Sequence, residues 1–240
     1  MFSTIPNLNP EEQMLTIRGR ILDTIDVAVV AFSKYQSHHL GDEYFATALD
    51  QMCKVARLML VFGSSLETAA LICRVLVGDA FALSHDMKDG DVTENQAFHV
   101  WSWLHGQIAN INEDVKASLD KRADSWMLAS FDAEFLEAVP QFYHDFPGKE
   151  QEAGGRFSRA VNIQGRSVFM TAKTRMCNVP DIAKKKDVIA AFEGGNLLYA
   201  LRPAGERYQF VGTAYVEGLM NGEAYVGVDI DQADSDIVLI

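Results

Sequence analysis

Between Gly165 and Asp229 the chain is cut into short runs rich in β-branched and aromatic residues: Arg166–Thr171, Asp187–Phe192, Leu197–Arg202, Arg207–Val211 and Ala214–Glu217. Each is bounded by Gly, Pro, Asn or Asp, so each run predicts a strand. Glu193-Gly-Gly-Asn196 and Pro203-Ala-Gly-Glu206 supply residues that tolerate positive φ, which predicts two hairpins. Near the start, Leu15, Ile17, Gly19 and Ile21 alternate with Thr16, Arg18 and Arg20 and run on into Ile25–Val30, a pattern of one or two further strands. A strand there needs partners, and the other strand patterns lie after residue 165. The expected fold is therefore α+β, with a small antiparallel barrel-like β module built from 14–30 and 165–240.

The residues between these ends change period. Tyr44–Phe62 repeats apolar positions at three and four, with Gly63 as its C-cap, and Ser64 or Ser65 then caps a helix over Leu66–Val77. Glu94–Ile111 places Phe98, Trp101, Leu104, Ile108 and Ile111 on one face, and Glu113–Phe131 and Asp132–Phe146 continue the helical pattern until Pro140 kinks or ends the last of them. Gly148–Gln164 is polar and partly helical. Residues 41–164 thus read as a helical insertion, and the 240 residues as one compact unit with two lobes.

Composition narrows the function classes. A hydrophobic share of 48% is enough for a real core, while a net charge of −12 and a pI near 4.9 leave no cationic surface broad enough for nucleic acid. The one basic run, Lys184–Lys186, reads as a solvated turn. Cys53, Cys73 and Cys177 are odd in number and widely spaced, which predicts reduced thiols and neither a zinc site nor a disulfide framework. No stretch has the length of a membrane span and no leader pattern opens the chain, so a cytoplasmic protein is expected. No phosphate loop, nucleophile elbow or zinc-protease signature is present, and neither cofactor nor metal is expected.

The string FEGGNLLYALRPAGERYQFVGTAYVEGLMNGEAY, Phe192 to Tyr225, resembles the C-terminal region of fungal heterokaryon-incompatibility (HET) proteins. Leu201, Arg202, Val211, Gly212, Tyr215, Val216, Gly218, Met220, Gly222, Glu223 and Ala224 stand at its motif positions. Ile17, Gly19, Asp23 and Ile25 match a second family segment, Arg74 and Leu76 a third, and Arg166, Phe169 and Thr171 a fourth. The resemblance implies a fungal protein lacking the N-terminal domain to which the family's signalling is attributed. The chain departs from the pattern where the family has a glycine-rich segment: Arg175-Met-Cys-Asn-Val-Pro180 keeps the proline without the glycines, and reads as a reshaped loop.

Two groups of residues are candidates for chemistry. In His99-Val-Trp-Ser-Trp-Leu-His105, helical spacing pairs His99 with Trp103 and Trp101 with His105, so an imidazole that titrates near neutrality lies beside a large apolar face. In the β module, Arg166, Arg175 and Arg202 are cations that can grip an anion or carbonyl, while Tyr215 and Glu223 either join Arg202 in a buried network or line a pocket. His99, His105 and Glu223 are the candidate acids and bases; Trp101, Trp103, Arg166, Arg175, Arg202 and Tyr215 are the candidate ligand contacts. The first expectation is a HET-related accessory or interaction module in self-recognition or stress response, binding a protein partner. Its alternative is a cofactor-independent cyclase, isomerase or dehydratase acting on a small apolar metabolite.

Overall fold

A computed structural model describes residues 7–9, 14–32, 65–78, 92–109, 148–161, 165–226 and 234–240, with most of 51–63. The chain divides into two compact units, residues 1–34 with 163–240 and residues 35–162.

The first unit is organised by one long strand. After a short β1 (Asn7–Asn9), β2 (Met14–Ala31) runs for 18 residues and pairs in succession with four other strands. The rest are β3 (Arg166–Thr171), β4 (Met176–Pro180), β5 (Val188–Phe192), β6 (Leu198–Ala204), β7 (Arg207–Val216) and β8 (Ser235–Leu239). Antiparallel pairing links β2–β3–β4–β7–β6–β5 and returns from β5 to β2, closing a ring. The barrel-like sheet expected from the two ends of the chain is present.

A second closure uses the same wall. β8 pairs with the first part of β2 and touches β7 in parallel at Tyr208 and Leu239, so β2–β5–β6–β7–β8 also closes on itself. Both faces of β5 are covered as a result. Val188, Ala190 and Phe192 join a cluster with Leu201, Ile237 and Leu239, while Ile189 and Ala191 join one with Ile25, Phe169, Val179 and Val216. This explains a run, Val-Ile-Ala-Ala-Phe, with no polar alternation.

β2 serves both clusters because its register shifts between Ile21 and Asp23. A bulge adds one residue and so inverts which face the following odd positions present. Leu15 and Ile17 accordingly pack on one cluster, and Ile25 lies in the other. Gly19 pairs with Phe192 on one edge and Ser235 on the other. A Cβ there would press into the Ala191 carbonyl oxygen and the Phe192 Cα, so both neighbours are backbone and neither can rotate away.

Several sequence expectations are corrected. Arg207–Val211 and Ala214–Glu217 are one strand, β7, because Gly212 takes φ +148° and carries the pairing past a bulge opposite Ala200 and Leu201. The segment expected as a reshaped loop is β4, with Met176, Cys177 and Val179 buried and only Arg175 outside it. β1 and β8 were not anticipated; β1 is only Asn-Leu-Asn, and β8 has its β-branched pair, Ile237 and Val238, in a five-residue run past the last strand expected from the sequence.

In the second unit, the described residues of 51–62 are helical, followed by α1 (Leu66–Val77), α2 (Val92–Ala109) and α3 (Glu150–Ala160). Ser65 caps α1 by accepting from the Thr68 N–H at 3.2 Å, and the Gly78 N–H returns to the Arg74 carbonyl. α2 packs against both other helices, with Trp103 against Phe157 at 5.5 Å between ring centroids. The helices expected over 113–131 and 132–146 lie outside the described residues.

Candidate functional site

The polar residues singled out in the β unit are each taken up by a neighbouring strand. Arg166 starts β3 and reaches across β4: its Nε donates to Asn178 Oδ1 at 2.8 Å, and its Nη2 donates to the Asn178 and Thr213 carbonyls at 2.7 and 3.0 Å. It thereby braces the seam where β4 meets β7 through two residue pairs only, Cys177 with Val216 and Asn178 with Tyr215. Burial lowers the Arg166 pKa from its ordinary value.

Arg202 forks onto Asp187, with Nε donating to Oδ1 at 3.0 Å and Nη2 to Oδ2 at 2.9 Å. Asp187 also accepts the Lys184 N–H, and Arg202 donates to the Ile182 carbonyl. Arg175 holds Asp23 at 3.3 Å, whose other oxygen accepts the Thr24 and Lys173 N–H groups, so the β3–β4 turn clamps the bulge of β2. Tyr215 donates to Glu217 at 2.9 Å. Glu223 accepts the Asn221 N–H at 2.6 Å, and its own backbone N–H, followed by Asn221, holds its carboxyl below the usual range. Arg202, Tyr215 and Glu223 therefore do not form the single network their motif positions suggested.

Cys177 is buried and donates weakly to the Phe169 carbonyl, and burial pushes its thiol up to about 12. It stays protonated near neutrality, as does Cys73, pushed to about 12 for the same reason. Among the described residues no three His, Cys, Asp or Glu side chains converge as a metal would require.

On α2, His99, Trp101 and Trp103 are buried, whereas His105 is exposed. His99 Nδ1 donates to the Asn95 carbonyl at 2.6 Å, which leaves Nε2 as a buried acceptor with no hydrogen-bond partner among the described residues. Desolvation lowers the His99 pKa; the Asn95 carbonyl opposes this, Arg156 adds to it and Glu152 opposes it. The folded state thus resists a proton that the unfolded chain takes near pH 6.5. Stability should be full above that pH and fall as the pH drops below it toward the lower folded value, by up to about 1.4 kcal/mol per pH unit. Urea unfolding at pH 7.5 and 5.5 checks this: His99→Leu should remove most of the difference.

The described residues form two surface concavities whose lining residues were not among the sequence candidates. The first is an open-sided groove of about 440 Å³ on the cluster closed by β8, floored by Leu15, Ile17, Phe192, Tyr199 and Leu239. Phe192 stacks on Tyr199 at 4.7 Å and Tyr199 tilts against Phe210 at 5.6 Å. Phe210 is 52% exposed and Ile240 48%. Among the described residues no charged side chain lines it. The second is a cleft of about 430 Å³ between the β5–β6 turn and the segment after β7, lined by Leu197, Leu219, Met220, Ala224 and Tyr225 among others.

That segment, the β6–β7 hairpin and the bulged β2 are the stretches in which the motif residues stand. The family model of the Het-6 beta-barrel domain matches residues 12–229, spanning both ends of the β unit and the helices between them. The chain belongs to the Het-6 β-barrel family. No curated protein and no solved structure matches it. The Het-6 barrel of this chain is thus a two-ring sheet in which Arg166, Arg175 and Arg202 tie strands together, while its exposed aromatic groove depends on cross-strand register. A sequence signal for the groove exists in Arg207-Tyr-Gln-Phe-Val211, whose apolar Phe210 falls among exposed positions, but only the pairing of Leu201 with Phe210 brings it toward Tyr199. Among the described residues no helix is long and apolar enough to cross a membrane.

Proposed function

We propose that this Het-6 barrel acts as an interaction module in fungal self-recognition or stress response, docking a protein partner on the groove formed by Phe192, Tyr199 and Phe210. The half-exposed Phe210 at the head of that aromatic stack is the observation that carries the reading. Large apolar side chains gathered on a surface lower their free energy when covered, and aromatic anchors dominate the energetics of protein interfaces. Its described lining carries no charged side chain and it is open along its side, which suits the face of another protein.

The alternative, a cofactor-independent enzyme acting on a small apolar metabolite, draws less support. Among the described residues neither concavity has a histidine or a carboxylate side chain in its lining, and Tyr225 is the ionisable phenol beside the second cleft. The histidines considered as acids or bases lie on α2, one buried and one exposed.

Comparison of the full chain with Phe210→Asp in co-precipitation from extracts of the host fungus tests the proposal. A charge at the centre of a docking face weakens binding by about 2 kcal/mol or more, roughly 30-fold. Proteins recovered with the unaltered chain should be depleted with the variant, while Phe210, being half exposed, tolerates substitution without unfolding. The same proteins recovered in equal amount with both would reject the groove as the docking site.

A further inference from the structure

The geometry points to a second, separate binding site in the β unit: the cleft between Gly195–Leu198 and Leu219–Tyr225 takes a small, uncharged ligand bearing an amide or hydroxyl group. Its volume of about 430 Å³ lies within the range of small-molecule pockets, roughly 300–1,000 Å³. The inference does not rest on the aromatic groove, which lies on the other cluster.

One wall of this cleft is held rigid from behind. The Val216 N–H donates to Met220 Sδ at 3.4 Å, and Glu223 accepts the Asn221 N–H, fixing the turn over Asn221 and Gly222. Arg20 donates to the Ala224 carbonyl at 3.2 Å, lies 5.0 Å from the Tyr225 ring centroid and pairs with Asp234 at 3.0 Å. The Asp234 side chain is fully buried and that of Arg20 is 13% exposed, and neither lines the cleft. Holding a binding wall in place before the ligand arrives removes part of the ordering penalty of association.

The lining chemistry defines the ligand. Leu197, Leu219 and Met220 supply apolar surface, Leu197 being 47% exposed at the rim. Asn196 and Asn221 supply the polar edge. Asn221 turns its NH₂ to Glu223 at 3.3 Å, which leaves its carbonyl oxygen as an acceptor, and the Asn196 amide has no hydrogen-bond partner among the described residues. These amides offer donors and acceptors to a neutral polar group. Among the described residues no ionised side chain lines the cleft, so a charged ligand would be desolvated there without a counter-charge.

Titration of the full chain, labelled on backbone and side-chain amides and methionine methyls, with acetanilide and with benzoate tests the assignment by NMR. Acetanilide, a neutral planar amide, should shift the Met220 methyl and the Asn196 and Asn221 side-chain amides saturably, with a Kd of about 1 mM. Benzoate, similar in size and charged, should bind about 10-fold more weakly or worse. Asn196→Leu should raise the acetanilide Kd about 5-fold to 10-fold, since one hydrogen bond is lost. Leu197→Asp, at a half-exposed position, gives an independent reading of the same rim and should raise it similarly. Phe210→Asp should leave the Kd unchanged, which separates this site from the groove. Shifts that do not saturate, that centre on Tyr199 and Phe210, or that are matched by benzoate would overturn the assignment.

Discussion

Gly19→Ala should destabilise the β unit by about 3 kcal/mol, although it adds a single methyl group. Position 19 pairs on both edges, with Phe192 and with Ser235, and the added Cβ meets the Ala191 carbonyl and the Phe192 backbone. Overpacking of a core typically costs about 1–3 kcal/mol when side chains can adjust. Here the obstacle is main chain, so the strand must part from β5, and the cost belongs at the upper end. Because β2 closes both rings, the loss should spread through them. Native-state hydrogen exchange of the Ile25 and Glu193 amides, which bond to the Asp187 and Arg18 carbonyls on the β2–β5 seam, should accelerate about 100-fold. Unchanged exchange there would refute the claim that backbone approach at Gly19 holds the rings closed.

Asp187→Ala should cost a similar amount, about 2–3 kcal/mol, for a different reason. Asp187 is 2% exposed and receives the Arg202 fork and the Lys184 N–H. Its removal leaves a guanidinium and a backbone donor without their acceptor, and breaking a buried pair on one side costs about 3–5 kcal/mol. The Arg202 side chain is 30% exposed, so water recovers part of the loss and the lower figure applies. The double variant Asp187→Ala with Arg202→Met should regain part of the stability, because no cation is then stranded. Urea denaturation of the two variants decides: equal losses in single and double variant would mean that the ion pair itself contributes little.

The sequence made the strands legible where turn residues bracket β-branched runs. The bounds of β3 match the expected run, and those of β5 and β6 match to within a residue or two, because Gly and Asn at 193–196 and Gly205 end them locally. The same logic split β7 wrongly. A glycine inside a strand reads as a break, whereas Gly212 carries a bulge that keeps the strand running. β4 was missed as a strand because Cys177 and Asn178 are weak β formers; their pairing with Phe169 and Val168 supplies what propensity does not.

The candidate site was less legible than the fold. Arginines and a histidine beside tryptophans attracted attention because ionisable groups carry chemistry, but a charge inside a sheet must find a partner, and Arg166, Arg175 and Arg202 found theirs on strands distant in sequence. The surfaces left for binding are made of leucine, methionine, asparagine and aromatic residues, which a sequence displays everywhere.

Local patterning by itself therefore determined that this chain has a β unit assembled from its two ends, a helical segment between them and membership of the Het-6 barrel family, because alternation, turn chemistry and motif spacing are written in neighbouring residues. Tertiary structure alone decided that β2 closes two rings, that the arginines are ties, and that Phe210 and the cleft beside Met220 stay open. Those outcomes depend on which strand edges meet and at what register, and a bulge of one residue in β2 turns the side chains that follow it, up to the next register shift after Ile25, to the other face.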